Sequence, residues 1–372
     1  MKITFVLPYA SFTGGIRVIA IYAARLQNLG HEVFVVSQPK PKPNLRSQFL
    51  SVIRGKGWTY MPEQTPSHFD NTNIAHRVIE SVRPITDDDV PDADVVVATW
   101  WETATWVAEL SNRKGAKAYF MQDYGFPKGI PGQKLEQIIP TWFLPLHIIT
   151  IAPWMAKLIR KHCGDIPVTV IPNAVELDLF KTPQRHKQEF PTVGLVYKTS
   201  LIKGTDIALE AIRIARKTIP QLRLLAFGAR KPEPSLSLPS NTVYSYQPSD
   251  REIPNIYASC DTWLFSSRRE GFGLPILEAM ACRTPVVGTP AGAAPELISQ
   301  GGGILVQPED PEDMAQAILQ ICRLSDEQWQ SMSQIAYTTA TSYTWDDATK
   351  LFETALYSVI ERFKPEKLAN SS

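Results

Sequence analysis

Ser266-Ser267-Arg268-Arg269-Glu270-Gly271-Phe272-Gly273-Leu274-Pro275-Ile276-Leu277-Glu278, continuing through Ala279 to Thr284 and on to Pro295-Glu296, is the stretch whose reading decides the fold. The apolar run Thr262 to Phe265 before it reads as a buried strand. Gly271 and Gly273 make a turn, and Pro275 can open a helix at its first position. A second strand, Thr284 to Gly288, and a second glycine turn, Gly288 to Gly292, follow. A glycine turn feeding a helix start presents unpaired amides and the positive end of the helix dipole, so it can hold a phosphate. Glu270 and Glu278 bracket the turn. A carboxylate repels phosphate, so these two are suited to accepting hydrogen bonds from neutral hydroxyls. Phosphate and polyhydroxyl together suggest a nucleotide-sugar. An ordinary strand-turn-helix with two solvated glutamates accounts for the same residues.

The chain has 372 residues, more than one core usually serves, so two domains are expected. Its hydrophobic fraction of 44% and charged fraction of 20% are those of a globular protein. A net charge of +1 gives no global field that calls for nucleic acid. Cys163, Cys260, Cys282 and Cys322 are scattered with no C-x-x-C, which fits reduced thiols and a cytoplasmic protein rather than a zinc site. The apolar run Ile3 to Leu7 is too short for a signal peptide. Gln137 to Ala156 carries no charge over 20 positions, about the length of a membrane span. Pro140, Pro145 and Pro153 argue for a loop, a buried strand His147 to Ala152 and a helix opening at Pro153.

From the start, Ile3 to Pro8 is a strand and Tyr9 to Gly15 a loop ending in Gly14-Gly15. Ile16 to Leu29 has apolar residues at helical spacing, and Glu32 to Ser37 is the next strand. Gly14-Gly15 is not a G-x-G-x-x-G, so the dinucleotide fingerprint is absent. The stretch Lys40 to Tyr60 mixes basic and apolar residues. It reads as a solvated loop, or as a patch for an acceptor or a membrane surface. Asp87 to Asp94 reads as an acidic turn rather than a metal site, leading into the strand Val95 to Thr99. Trp100-Trp101-Glu102 and, after the strand Lys117 to Met121, Gln122-Asp123-Tyr124 stand at strand carboxyl ends, where open α/β sheets place ligand groups.

Val168 to Ile171 is the last strand of this half, and the polar, proline-bounded residues up to Pro191 read as a linker. The plan then restarts with a strand Thr192 to Tyr197, a loop Lys198 to Gly204, a helix Asp206 to Lys217 and a strand Gln221 to Phe227. Val243 to Tyr246 reads as a buried strand or as a neighbour of a nucleotide base. The alternation implies two doubly wound parallel-sheet α/β domains with a ligand site between their facing carboxyl ends. Lys198 and Lys203 share the first loop of the second half and would neutralise a diphosphate. Apolar positions from Trp345 to Phe363 make an amphipathic helix, with a frayed tail after it.

The E-x7-E of Glu270 and Glu278, with Gly14-Gly15, Ile171-Pro172-Asn173-Ala174, Lys198, Lys203-Gly204 and Pro295-Glu296, resembles the retaining glycosyltransferases of family 4, which have the GT-B fold. The resemblance implies a Rossmann-like acceptor domain over 1–180, a linker over 181–191, and a Rossmann-like nucleotide-sugar domain over 192–344. A helix over 345–363 would cross back to the first domain, leaving 364–372 as a tail. It implies transfer of a hexose-type sugar to a glycan, polysaccharide or glycolipid acceptor, without cofactor or metal, in the cytoplasm or at the inner face of the membrane. By the same resemblance Glu270 meets hydroxyls of the moving sugar, and Glu278 holds the ribose. Gly271, Phe272, Gly273 and Leu274 offer their amides, Lys203 and Lys198 take the diphosphate, and Gly14 and Gly15 approach the phosphate. Two positions depart from the family pattern: Lys198 stands where arginine is usual, and Gln122-Asp123 where a histidine is usual. Asp123 is the candidate for the acceptor-side catalytic group, beside Glu270, Lys203 and Lys198 as catalytic residues. A nucleotide-sugar 2-epimerase of the same architecture and a non-catalytic nucleotide-sugar-binding scaffold are the rival readings. A glycoside hydrolase would not need lysines and glycine loops in both halves.

Overall fold

The computed structural model describes residues 1–41, 49, 52–53, 66–70, 72–124 and 135–369, the side chains of 135 and 364–369 excepted. Most of the basic and apolar stretch Lys40 to Tyr60, and with it any acceptor or membrane patch there, lies outside the described residues.

The chain forms two compact units. One takes in Met1–Thr150, Ala156–Val170 and Thr349–Ser372; the other takes in Ile151–Met155 and Ile171–Ala348. The first holds a seven-stranded sheet of β1 (Lys2–Tyr9), β2 (Glu32–Gln38), β3 (Ala75–Val78), β4 (Val95–Ala98), β5 (Ala116–Met121), β6 (His147–Thr150) and β7 (Val168–Val170). Their order is β3-β2-β1-β4-β5-β6-β7, and every pair is parallel. The second holds β8 (Thr192–Val196), β9 (Arg223–Gly228), β10 (Thr242–Tyr246), β11 (Thr262–Phe265), β12 (Val286–Gly288) and β13 (Gly303–Leu305). Their order is β10-β9-β8-β11-β12-β13, again parallel throughout. The central strands read as unbroken apolar runs because helices cover both faces of a parallel sheet; all four residues of β4 and of β11 are buried.

In the first unit, Phe352 of the last helix stacks on Tyr22 at 4.5 Å between ring centres and meets Phe120 edge-on at 5.1 Å. Burial of Tyr22 raises its phenol well above the ordinary tyrosine value. In the second, Trp263 packs on Tyr257 at 4.3 Å, and the Trp329 indole donates to the Asp261 carbonyl at 2.9 Å.

Four details differ from the sequence reading. Gly14 and Gly15 are not loop but the first turn of the helix Gly14–Asn28, where amides need no partner within the helix. Val243 to Tyr246 is not a buried strand: β10 is an edge strand, with Val243 and Tyr246 exposed. The final helix runs from Trp345 to Ala369, past Phe363 and through Pro365, whose missing N–H leaves one bond of the ladder unmade. Residues 181–191, read as a linker, lie bound along the second unit. The Arg185 guanidinium donates to the Cys260 carbonyl and to Thr284, and the Lys187 ammonium to the carbonyls of Cys322 and Leu324. The buried Asp261 carboxylate accepts from the amides of Gln188 and Thr192.

The aspartate run is neutralised locally. Asp89 takes two bonds from Arg83, Asp87 one from the Ser111 amide, and Asp92 pairs with Lys114. Among the described residues no group of three or more His, Cys, Asp or Glu is placed to hold a metal ion, and no helix is long and apolar enough to cross a membrane.

Candidate active site

In the second sheet the chain moves outward from β8 in both directions, so the loops after β8 and β11 part at their carboxyl ends. Such a switch point is where doubly wound sheets open a ligand crevice. Lys198, Lys203, Thr205, Ser266, Ser267, Glu270 and Pro275 line a small solvent-open concavity of about 40 Å3 there.

The two loops are stitched together. The Arg268 amide donates to the Ile202 carbonyl at 2.8 Å, and the Arg268 guanidinium forks onto both oxygens of Asp206 at 2.8 and 2.7 Å. Gly204, at φ +61°, lies so close to the other loop that a Cβ would sit 1.8 Å from the Ser266 carbonyl oxygen. Only glycine meets both conditions. Across this seam the Lys203 ammonium reaches Glu270 Oε1 at 2.6 Å, and Ser267 Oγ donates to the same oxygen at 2.9 Å. The Lys198 side chain reaches solvent but stands in a densely walled concavity. Loss of hydration, then the charge of Lys203, pushes its ammonium below the ordinary lysine value, with Glu270 and Glu278 opposing.

Gly273, at φ +102°, caps the helix Leu274–Ala281, with Pro275 in its first turn. The turn before it is held from outside. The Trp154 indole donates to the Gly271 carbonyl at 3.1 Å, and the Ala293 amide to the Phe272 carbonyl at 2.8 Å. Gly292, at φ +63°, presses on the same turn; its Cβ would lie 2.5 Å from the Phe272 carbonyl oxygen. The amides of Gly271, Phe272, Gly273 and Leu274 have no acceptor among the described residues. Glu278 of this helix accepts at Oε2 from Tyr257 Oη of the helix Ile253–Ala258 at 2.8 Å.

The other expected residues belong to the first unit. Gly14 and Gly15 open a 15-residue helix whose N-cap, Thr13, makes no side-chain bond to the helix amides and whose first turn holds no acid. The Gln122 amide group donates to the Gly15 carbonyl at 3.0 Å. Asp123 Oδ1 accepts from the amide of Tyr124 at 2.7 Å. The structure thus brings Lys198, Lys203 and Glu270 to one concavity, and seats Glu278 on the helix that follows. Trp154 and Tyr257 escape the sequence reading; each acts through a single polar atom, 117 and 21 residues from its partner, which leaves no pattern.

Two family models match the chain: Glycosyltransferase Family 4 over residues 12–179 and glycosyl transferases group 1 over residues 190–323. The O-antigen chain mannosyltransferase B of Escherichia coli is 35% identical over 101 residues, 27% of this chain and 26% of that protein. The D-inositol 3-phosphate glycosyltransferase of Corynebacterium jeikeium is 25% identical over 224 residues, 53% of this chain and 52% of that protein. The chain thus spans about half the length, or less, of these curated relatives. Among solved structures, Anabaena HepE in complex with UDP and glucose matches with a TM-score of 0.71 over 96% of this chain and all of that one, at 17% identity. Sucrose-phosphate synthase from Thermosynechococcus elongatus matches with a TM-score of 0.70 over 97% of this chain and all of that one, at 15% identity. At such identities the likeness is one of fold, and it is the GT-B fold of two parallel α/β sheets. With one model on each half and that fold throughout, the chain belongs to glycosyltransferase family 4, the glycosyl transferases group 1.

Proposed function

We propose that the protein transfers a hexose-type sugar from a nucleoside-diphosphate sugar to a glycan, polysaccharide or glycolipid acceptor, with retention at the anomeric carbon and without a metal. The observation that carries this reading is the switch-point concavity of the second sheet. It sets Lys203, Lys198 and Glu270 together, beside a turn of four amides that have no acceptor among the described residues.

The chemistry follows from where charge develops. As the bond from the anomeric carbon to the diphosphate oxygen breaks, its electron pair stays on the diphosphate. Lys203 and Lys198, with the amides of Gly271 to Leu274, stabilise that growing charge, the task a metal performs elsewhere. Gly14 and Gly15 offer a second helix start to the phosphates. Glu270 accepts from hydroxyls of the moving sugar, and Glu278 from the ribose. The acceptor oxygen bonds to the anomeric carbon on the face the diphosphate leaves, and its proton passes to a diphosphate oxygen. Asp123 orients the acceptor. A site in the cytoplasm, at the inner face of the membrane when the acceptor is lipid-linked, belongs to the same proposal.

Solved HepE structures hold UDP and UDP-glucose, so a UDP-sugar is the first donor to try. A thermal-shift panel of UDP, GDP, dTDP and ADP sugars tests donor binding; a ligand at 100 times its Kd stabilises by about 2.7 kcal/mol. The matching donor is then assayed for transfer to envelope-glycan and phosphoinositol acceptors. Turnover to an isomerised sugar without any acceptor points instead to an epimerase, and binding without turnover to a scaffold.

A further inference from the structure

We infer that Trp154 is a positioning residue for the donor diphosphate, holding the glycine turn so that its amides point away from the protein that anchors it. This rests on the donor reading of the turn. A trans peptide is planar, and its C=O and N–H point in opposite directions. Fixing a carbonyl therefore aims the amide of the next residue the other way. Three successive carbonyls are fixed here: Gly271 by the Trp154 indole at 3.1 Å, Phe272 by the Ala293 amide at 2.8 Å, and Gly273 by the Ile276 amide at 2.9 Å. Their partner amides, on Phe272, Gly273 and Leu274, are three of the four without an acceptor among the described residues. A peptide whose carbonyl accepts a bond is also polarised, which makes its own N–H a stronger donor.

Of the three anchors, two are backbone and come with the fold. Trp154 is the side chain, and indole is a donor with no acceptor capacity, so its bond to a carbonyl has one polarity. The anchor sits 117 residues from Gly271 in the chain, at the start of the helix Pro153–Cys163. Gly271 is the first of two glycines in a turn that would otherwise sample several conformations. Trp154 removes that freedom before a ligand arrives, and pre-organisation of this kind appears as affinity for the group the amides meet.

The test is Trp154→Phe, which keeps an aromatic ring and deletes the N–H; Trp154 is only part-buried, so the smaller ring can be accommodated. Calorimetric titrations use UDP, GDP, dTDP and ADP, each beside its nucleoside. For the diphosphate that binds the wild type most tightly, Kd is expected to rise about five- to tenfold, the worth of one hydrogen bond. Nucleoside affinity and acceptor KM stay within twofold. A structural role alone would weaken nucleoside and diphosphate alike, and that result overturns the assignment, as does an unchanged diphosphate Kd. Hydrogen exchange of ligand-free protein reads the same claim without any nucleotide. The Ala293 amide, which is protected by its bond to the Phe272 carbonyl of this turn, is expected to exchange faster in Trp154→Phe, and an equal rate overturns it. In the wild type the Trp154 indole N–H is expected to exchange more slowly than an exposed tryptophan's; free exchange overturns it too. If the wild type binds none of the four diphosphates, the donor reading fails, and exchange alone decides the role of Trp154.

Discussion

Replacing Lys203 and Glu270 one at a time separates two roles that the ligand-free structure ties together. Their ion pair is 2.6 Å long, with side chains 28% and 15% exposed. A partly exposed pair of this kind contributes about 1 kcal/mol or less, so Lys203→Met should cost little stability. Activity is another matter. A unit positive charge about 4 Å from the departing diphosphate is worth about 4 kcal/mol at an effective dielectric near 20. Setting the existing pair against this leaves about 3 kcal/mol, a loss of roughly a hundredfold in kcat/KM. Glu270→Gln keeps an acceptor oxygen and loses its charge. A bond to a charged group exceeds a neutral one by about 1–1.5 kcal/mol, so the expected loss is about tenfold. The nucleoside diphosphate product separates the two variants. Lys203→Met should bind it more weakly, whereas Glu270→Gln frees Lys203 and should bind it equally or up to about fivefold more tightly. Steady-state rates with the matched donor and calorimetry with its diphosphate measure both quantities. Rates within threefold of wild type in both variants would refute the site. Equal weakening of diphosphate binding in both would refute the division of roles.

Gly204→Ala forces a Cβ to 1.8 Å from the Ser266 carbonyl oxygen at a positive φ. The seam must open, at a cost of about 3 kcal/mol. The unfolding transition of the second unit should then fall by about 6–12 °C in calorimetry. Gly14→Ala, where a Cβ would meet nothing within 4 Å, is the control, expected to shift stability by less than about 1 kcal/mol. Phe352→Ala empties a fully buried position against Tyr22, Phe120 and Phe5. It should cost about 3–5 kcal/mol in denaturant titrations.

The alternation of strands and helices is legible because central parallel strands such as β4, Val-Val-Val-Ala, are buried on both faces and stay apolar along their length. Strands at or near the sheet edges are not. β3 is Ala-His-Arg-Val and mostly exposed, β10 is half exposed, and β13 is only Gly-Ile-Leu, so no period emerges from them. Gly14-Gly15 misleads because glycine disfavours helix interiors, whereas a first turn tolerates it. Arg185 and Lys187 look like linker charges, since sequence does not display the carbonyls that receive them 75 to 137 residues away. The residue types of the site, two glutamates and two lysines around glycine turns, are visible at once. Their pairing is not: Lys203 and Glu270 are 67 residues apart and meet only because β8 and β11 are neighbours.

The neighbouring charges also set the pH range over which the site can hold a diphosphate. Loss of hydration between the walls of the concavity, and then the charge of Lys203, lower the Lys198 pKa, while Glu270 and Glu278 pull it back up. Between the lowered folded value and the unfolded lysine value the unfolded chain binds more protons, so Lys198 makes stability rise with pH there. Diphosphate binding has the opposite sign, because it needs the ammonium and is lost as pH climbs through the folded value. The alkaline loss of donor affinity should therefore begin below the ordinary lysine range. Lys198→Arg, which stays charged, should abolish it. Removing a neighbour should move the limb in a direction fixed by its sign: to higher pH in Lys203→Met, where a repelling charge is gone, and to lower pH in Glu270→Gln, where an attracting one is gone. Calorimetric affinities for the diphosphate from pH 7 to about 10.5 measure the limb in all three variants. Shifts in one direction for both Lys203→Met and Glu270→Gln would show that Lys198 is not the group being titrated.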